Sequence, residues 1–405
     1  MLLPTLLLLL QVTLGAFFTL PQLHLRAPDC NIQIPNLDPE PIVVDGTYTF
    51  LYAAPDASSV VIKSGETIII SCPGGQMTVG STQFNSTISA TCISNSDFSV
   101  GSATINFNQI TCSRNPFHTA RYTGKSCEKS GKEIEVGFAV NDNFAREITI
   151  CFDAPNLNSL YSSYEIPRSI GHHESGVSRP SFIEDDFYNL EVKVNSLYVR
   201  GGQRSTINSL LGLPSNSTKY IQDGNDFYLA RGHFAAKADF VYASQQTATF
   251  HYVNVAPQWQ SFNGFNWNQA ESDVRDYAEK NGVDLRVYTG TYGVTTLPHE
   301  ETKEEIPLYL YIGSNGIQGI AVPELYWKVA YNPETKLGVA LLGINNPYQK
   351  DINRSIICED VSSKINWLHW NATDTKAGYS YACEVDSLRK KVTYLPDFVV
   401  KGLLL

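Results

Sequence analysis

The 405-residue chain has no CxxC pair, no basic excess and, beyond its first residues, no long apolar run. Without CxxC spacing a zinc ribbon is excluded. The formal net charge is −10 at pH 7. Proteins that hold nucleic acid passively are usually basic, because phosphate neutralisation drives their affinity. The charge therefore argues against a coating protein. It leaves room for an enzyme that needs only a local positive field, and such an enzyme would have a bipolar surface. No later stretch reaches the roughly eighteen apolar residues of a membrane span, and Leu403-Leu404-Leu405 is too short to anchor anything. Gly124-Lys125-Ser126 ends like a P-loop, but Thr119 stands where the first glycine belongs. His172-His173 is a poor metal pair, since neighbours in an extended chain point to opposite sides. It reads as part of a solvated loop.

What is present begins with a leader. Residues 1–16 hold the apolar run Leu6 to Leu10 and small residues Gly15 and Ala16, the pattern of a secretory signal peptide. Eight cysteines fit an oxidising compartment and imply four disulfides. Cys358 and Cys383 stand apart and are expected to pair. Spacing leaves the pairing of Cys30, Cys72, Cys92, Cys112, Cys127 and Cys151 open. Sequons start at Asn85, Asn216, Asn353 and Asn371. The reading is of a secreted, extracellular protein.

Residues 17–132 read as a cysteine-rich, mostly-β amino-terminal domain of open role. It has short β-rich runs at 48–51, 60–62, 67–72 and 104–107 between turn residues. Residues 133–405 read as a second domain. Strands are expected at 148–152, 190–199, 283–290, 308–313, 319–331 and 337–343, with few helices. The fold class is α+β with a large mixed or antiparallel sheet.

Residues 227–271 concentrate polar groups in an apolar frame. A weak strand is expected near 227–229 and a stronger one over 247–255, ended by Pro257. From Trp267 the period becomes helical, through Ala270, Val274 and Tyr277, with Asp273 on another face and Asn281-Gly282 as the stop. If that helix starts near Asn263, then Asn263, Trp267 and Glu271 share a face. Asparagine offers a hard, neutral oxygen suited to Mg²⁺. Histidine, at roughly pKa 6.5, can take a proton from water. Arginine can fork onto phosphate oxygens.

Three separated pieces carry a resemblance: Arg231-Gly232-His233, Asn254-Val255-Ala256-Pro257-Gln258, and Asn263 with Trp267 and Glu271. Together they resemble the DNA/RNA non-specific endonucleases with a ββα-metal active site, whose signature is D-R-G-H, N-x-x-P-Q and N-x-x-x-W-x-x-x-E. Ala230 departs from it, standing where the family has Asp. An A-R-G-H form occurs among secreted arthropod relatives, including gut nucleases that degrade double-stranded RNA and salivary endonucleases. The likeness covers roughly residues 135–400.

The resemblance implies a ββα-metal core and a reaction on DNA and RNA that leaves 5′-phosphates, with Mg²⁺ or Mn²⁺ as cofactor. It implies His233 as general base and Asn263 as the metal ligand. Glu271 orients a metal-bound water, Asn254 supports the site, and Arg231 binds phosphate. Arg179 is the candidate for a further family arginine. Each has a plainer reading. Asn263 could cap a helix, Glu271 could answer the helix dipole, and Asn254 could pair with a turn. Two rival functions stand beside the endonuclease: an impaired relative that binds without cutting, suggested by Ala230, and a glycosylated β-rich binding protein. If neutral His233 is the base, activity is expected to fall below roughly pH 6.5.

Overall fold

The computed structural model describes residues 27–34, 39–314 and 316–405. The leader expected at 1–16 lies outside the described residues. The organising feature is a nine-stranded sheet. Its path runs His118–Ser126, Lys132–Val140, Asn143–Asp153, Asn158–Ile166, Leu285–Tyr292, Leu325–Asn332, Leu337–Ile344 and Ser380–Cys383, each neighbour antiparallel. Gly402–Leu403 adds to Leu337–Ile344 in parallel, which makes the sheet mixed. The chain is α+β, rich in sheet and poor in helix.

The two central strands are buried on both faces, which explains their nearly continuous apolar sequence. On Leu325–Asn332, Trp327, Val329 and Tyr331 join one core, whereas Tyr326 and Ala330 face the other side. Strand alternation puts Lys328 on that second side, where the helix Asn268–Asn281 packs through Ala270, Val274 and Ala278. That helix ends as expected. Gly282 takes φ 61°, a left-handed conformation that glycine adopts without a Cβ penalty. Its first turn is a π-helix, Asn263–Trp267.

The amino-terminal β structure contains a five-stranded sheet with its own apolar cluster, tied by Cys30–Cys92 and Cys72–Cys112. Ile42, Val44 and Phe50 nonetheless pack into the same cluster as Phe138, Tyr242 and Val274. The large sheet takes its first strand, His118–Ser126, from before residue 133. Cys127–Cys151 clips the end of that strand to Asn143–Asp153, and Cys358–Cys383 pair as expected.

Several expected elements differ. Residues 48–51 form only an isolated bridge through Phe50. Residues 190–199 are not a strand: they include the short helix Val194–Leu197, followed by Arg200–Leu210. Residues 319–331 divide into Gln318–Ala321 and Leu325–Asn332, with Pro323 between them. Residues 247–255 become the end of the helix Ala243–Ala248 and the turn Tyr252–Asn254. Side chains compete with a ladder there. Thr249 Oγ1 donates to Gln246 O (2.8 Å), and Asn254 Nδ2 donates to Thr249 O (3.0 Å). The true strand is Val255–Trp259, paired with Leu229–His233. Pro257 lies inside it, not at its end. The Pro257 carbonyl and the Trp259 amide face Asn345 instead of the partner strand (3.1 and 2.8 Å), so the missing proline N–H disturbs no ladder. Asp273 is buried, accepting from the His369 main chain at 2.7 Å.

Candidate active site

Strand alternation sends Arg231 and His233 to one face of Leu229–His233. Gly232 faces the other way, and a Cβ there would lie 2.3 Å from Gln258 Oε1 and 2.7 Å from the Tyr326 hydroxyl. Close approach of the two strands therefore requires glycine. Asn254 fixes the chain just after His233. Its side chain accepts from Ala235 N and donates to Ala235 O, both at 3.0 Å.

The His233 ring lies against Phe182 and Phe250, with centroids at 5.2 and 5.1 Å. Its Nε2 is buried and has no hydrogen-bond partner. Burial pushes the imidazole down to about 3; the Arg179 charge acts in the same direction, while Asp239 and the Arg231 main chain oppose it. These influences favour the neutral ring, so the acid limit of the free protein is expected below the ordinary histidine value. Neutralising Arg179 with a phosphate would remove part of that depression.

Arg231 is held by Tyr252 Oη (2.9 Å) and Asn195 Oδ1 (2.7 Å), and lies among the rings of Phe182, Tyr198 and Tyr252. Glu271 is half-buried. Burial drives its carboxyl up to about 7; Lys328, Arg275 and Arg179 pull it back, and Asp239 adds to the rise. Arg179 and Asp239 thus act on both His233 and Glu271, which places these four groups around one site. Arg179, distant in sequence, is brought there. Lys237 is nearby and is pushed down by burial and by the Arg179 charge. Positive charge gathers here although the chain is acidic overall.

Asn263 sits in the π turn, its amide nitrogen donating to Gln260 Oε1 at 3.2 Å. No hydrogen bond among the described residues joins it to His233 or Glu271. Its carbonyl oxygen takes part in none. A carboxamide oxygen and an imidazole nitrogen without partners among the described residues, beside the half-buried Glu271, fit a well-hydrated divalent ion held by few protein atoms. No three of His, Cys, Asp and Glu gather into a cage among the described residues.

Sequence reading missed the support beneath these groups. Asp239 and Lys328 are fully buried. Asp239 accepts from Tyr164 (2.6 Å) and Arg275 (2.8 Å), and Lys328 Nζ donates to Tyr164 Oη and Thr289 Oγ1 (2.8 and 2.9 Å). The one available signal was a lysine inside the apolar run 325–331. Phe182 was also passed over, and the motif residue Gln258, whose amide has no partner among the described residues, was given no role. A cleft of about 800 Å³ backs onto the paired strand at Val255, Ala256 and Pro257. It is lined by Asp153 and Glu324 with no Lys or Arg, a poor surface for a polyanion.

The paired strands Leu229–His233 and Val255–Trp259 thus lead into the helix that carries Glu271. Residues 129–388 match the DNA/RNA non-specific endonuclease family, and the chain belongs to it. It is a nuclease, a hydrolase acting on nucleic acid, of a divalent-metal-dependent class.

Among particular proteins, it is 30% identical over 342 residues to a salivary endonuclease of Lutzomyia longipalpis, covering 83% of this chain and 75% of that one. It is 23% identical over 310 residues to the salivary protein Tsal1 of Glossina morsitans morsitans, 73% of each chain. The EndoG chain of an EndoG/EndoGI complex aligns at 18% identity and a TM-score of 0.40, over 64% of this chain and 87% of that one. The family match, and not that superposition, defines the class.

Proposed function

We propose that the protein is a secreted, Mg²⁺-dependent endonuclease that cuts DNA and RNA, including double-stranded RNA, and leaves 5′-phosphates. The observation that carries this reading is the buried, partnerless Nε2 of a neutral His233 beside Arg179. That nitrogen takes the proton from the attacking water. Arg231 and Arg179 grip the phosphate, and their positive charge favours the extra negative charge of the transition state. Asn254 holds the strand end so that His233 does not drift. Asn263 Oδ1 would hold the ion, and Glu271 would orient its hydration shell. The ion, when bound, supplies positive charge at the scissile phosphate. Mn²⁺ is expected to substitute. Four disulfides and salivary relatives support an extracellular setting, gut lumen or saliva.

A second reading follows from Ala230, which stands opposite Gln258 in the hairpin and replaces the family Asp. It is a relative that binds nucleic acid without cutting. Parallel digestion of double-stranded RNA, plasmid DNA and single strands, with and without EDTA, separates the two. His233→Ala is expected to lower the rate by about 10²–10⁴. Undiminished cutting by that variant removes His233 from the mechanism.

A further inference from the structure

Behind the site runs a hydrogen-bonded file of three side chains. Asp185 Oδ2 lies 2.7 Å from His251 Nδ1, and His251 Nε2 lies 2.9 Å from His118 Nδ1. His251 is fully buried. Burial, and next its neighbour His251, hold His118 down to about 4, so its ring is neutral near pH 7. Asp185 takes φ 53°, a left-handed conformation uncommon for a residue with a side chain. Nothing in the reaction so far requires these groups.

The file sits where it can act. The residues on either side of His251 are both walls of the site. Phe250 meets the His233 ring edge-on at 5.1 Å, and the Tyr252 hydroxyl accepts from Arg231 at 2.9 Å. The chain leading to Asp185 is strapped to the same segment, with Ile183 N donating to Phe250 O and Tyr252 N to Ile183 O, both 2.9 Å. That strap carries Phe182, whose ring lies against His233 and below Arg231. Asp185 and His118 therefore hold both ends of His251, a buried side chain between strap and wall. His118 comes from the first strand of the large sheet, outside the residues 129–388 of the family match.

Resting on the endonuclease reading above, we propose that His118 is a positioning residue of this active site. Through His251 and Asp185 it sets the placement of Phe250, Phe182 and Tyr252, and so of His233 and Arg231. The amino-terminal part of the chain thereby completes a site that the family core does not complete by itself.

The test compares wild type, His118→Phe and His118→Asn as full chains. Phenylalanine keeps a ring of similar shape between Phe117 and Phe138 but offers His251 no polar atom. Asparagine places an amide at the height of imidazole Nδ1 and can present nitrogen or oxygen. The expected kcat on double-stranded RNA, per folded molecule, is on the order of tenfold lower for His118→Phe. His118→Asn recovers most of it. A purely structural role would change the melting midpoint and leave kcat per folded molecule alone. Equal kcat in all three, or an Asn variant as slow as Phe, overturns the proposal. A wild-type chain that cuts nothing defeats the endonuclease reading instead. The inference is then decided by Kd for a short double-stranded RNA in EDTA. Weaker binding by His118→Phe alone supports it, and three equal affinities sink it.

Discussion

Lys328 Nζ lies 3.7 Å from Asp239 Oδ2, and neither side chain reaches solvent. A lone charge at that depth would be strongly unfavourable, so each depends on the other and on Tyr164, Thr289 and Arg275. Lys328→Met removes one partner and leaves Asp239 under-neutralised. It is expected to destabilise by about 3–5 kcal/mol. Lys328→Met with Asp239→Asn should recover a large part of that. Denaturant unfolding of the two single variants and the double variant checks the coupling, and strictly additive losses would refute it.

Gln258 has both amide atoms buried without a partner, directly across the hairpin from Ala230. An unpaired buried amide is a standing cost, so Gln258→Met should leave the fold intact and raise stability by about 1 kcal/mol. A lower melting midpoint would show that the amide is bonded in solution.

Histidine burial sets a pH signature. The imidazoles of His118 and His233 sit at about 4 and about 3, below an ordinary value of about 6.5. Between those limits the unfolded chain binds the protons and the folded chain does not, so each histidine removes stability as pH falls from about 6.5. Glu147 and Glu271, raised by burial to about 8 and about 7, act oppositely over much of that range. The wild-type profile is therefore shallow, and a difference measurement is needed. The melting midpoint of His118→Asn relative to wild type is expected to rise steadily from pH 7 to pH 4. A constant difference would contradict the depressed His118 value.

Chelation should separate chemistry from folding. With no carboxylate cage among the described residues, EDTA is expected to abolish cutting and barely move the melting midpoint. Mg²⁺ added back should restore the rate. A midpoint that falls by many degrees on chelation would mean that the ion is a structural element.

The members of the candidate site were legible along the chain as local patterns. The spacing from Arg231 to His233, the run Asn254 to Gln258, and the helical file Asn263, Trp267 and Glu271 are local patterns, and local patterns survive without tertiary information. The central strands were legible because burial on both faces leaves an unbroken apolar run. The strand expected at 247–255 was not, because β-branched and aromatic residues there meet Gln246, Thr249 and Asn254, whose side chains bond the backbone themselves. At Val194–Leu197 the Ser196 hydroxyl likewise donates to Lys193 O.

By itself the sequence determined the order of the candidate groups, the acidic balance and the even cysteine count. Only the tertiary structure decided what those groups feel. It carried Arg179 to His233, buried Lys328 against Asp239, and brought His118 from outside the family core onto His251. Ionisation and placement depend on desolvation and on neighbours distant in sequence, and those exist only once the sheet has closed over its helix.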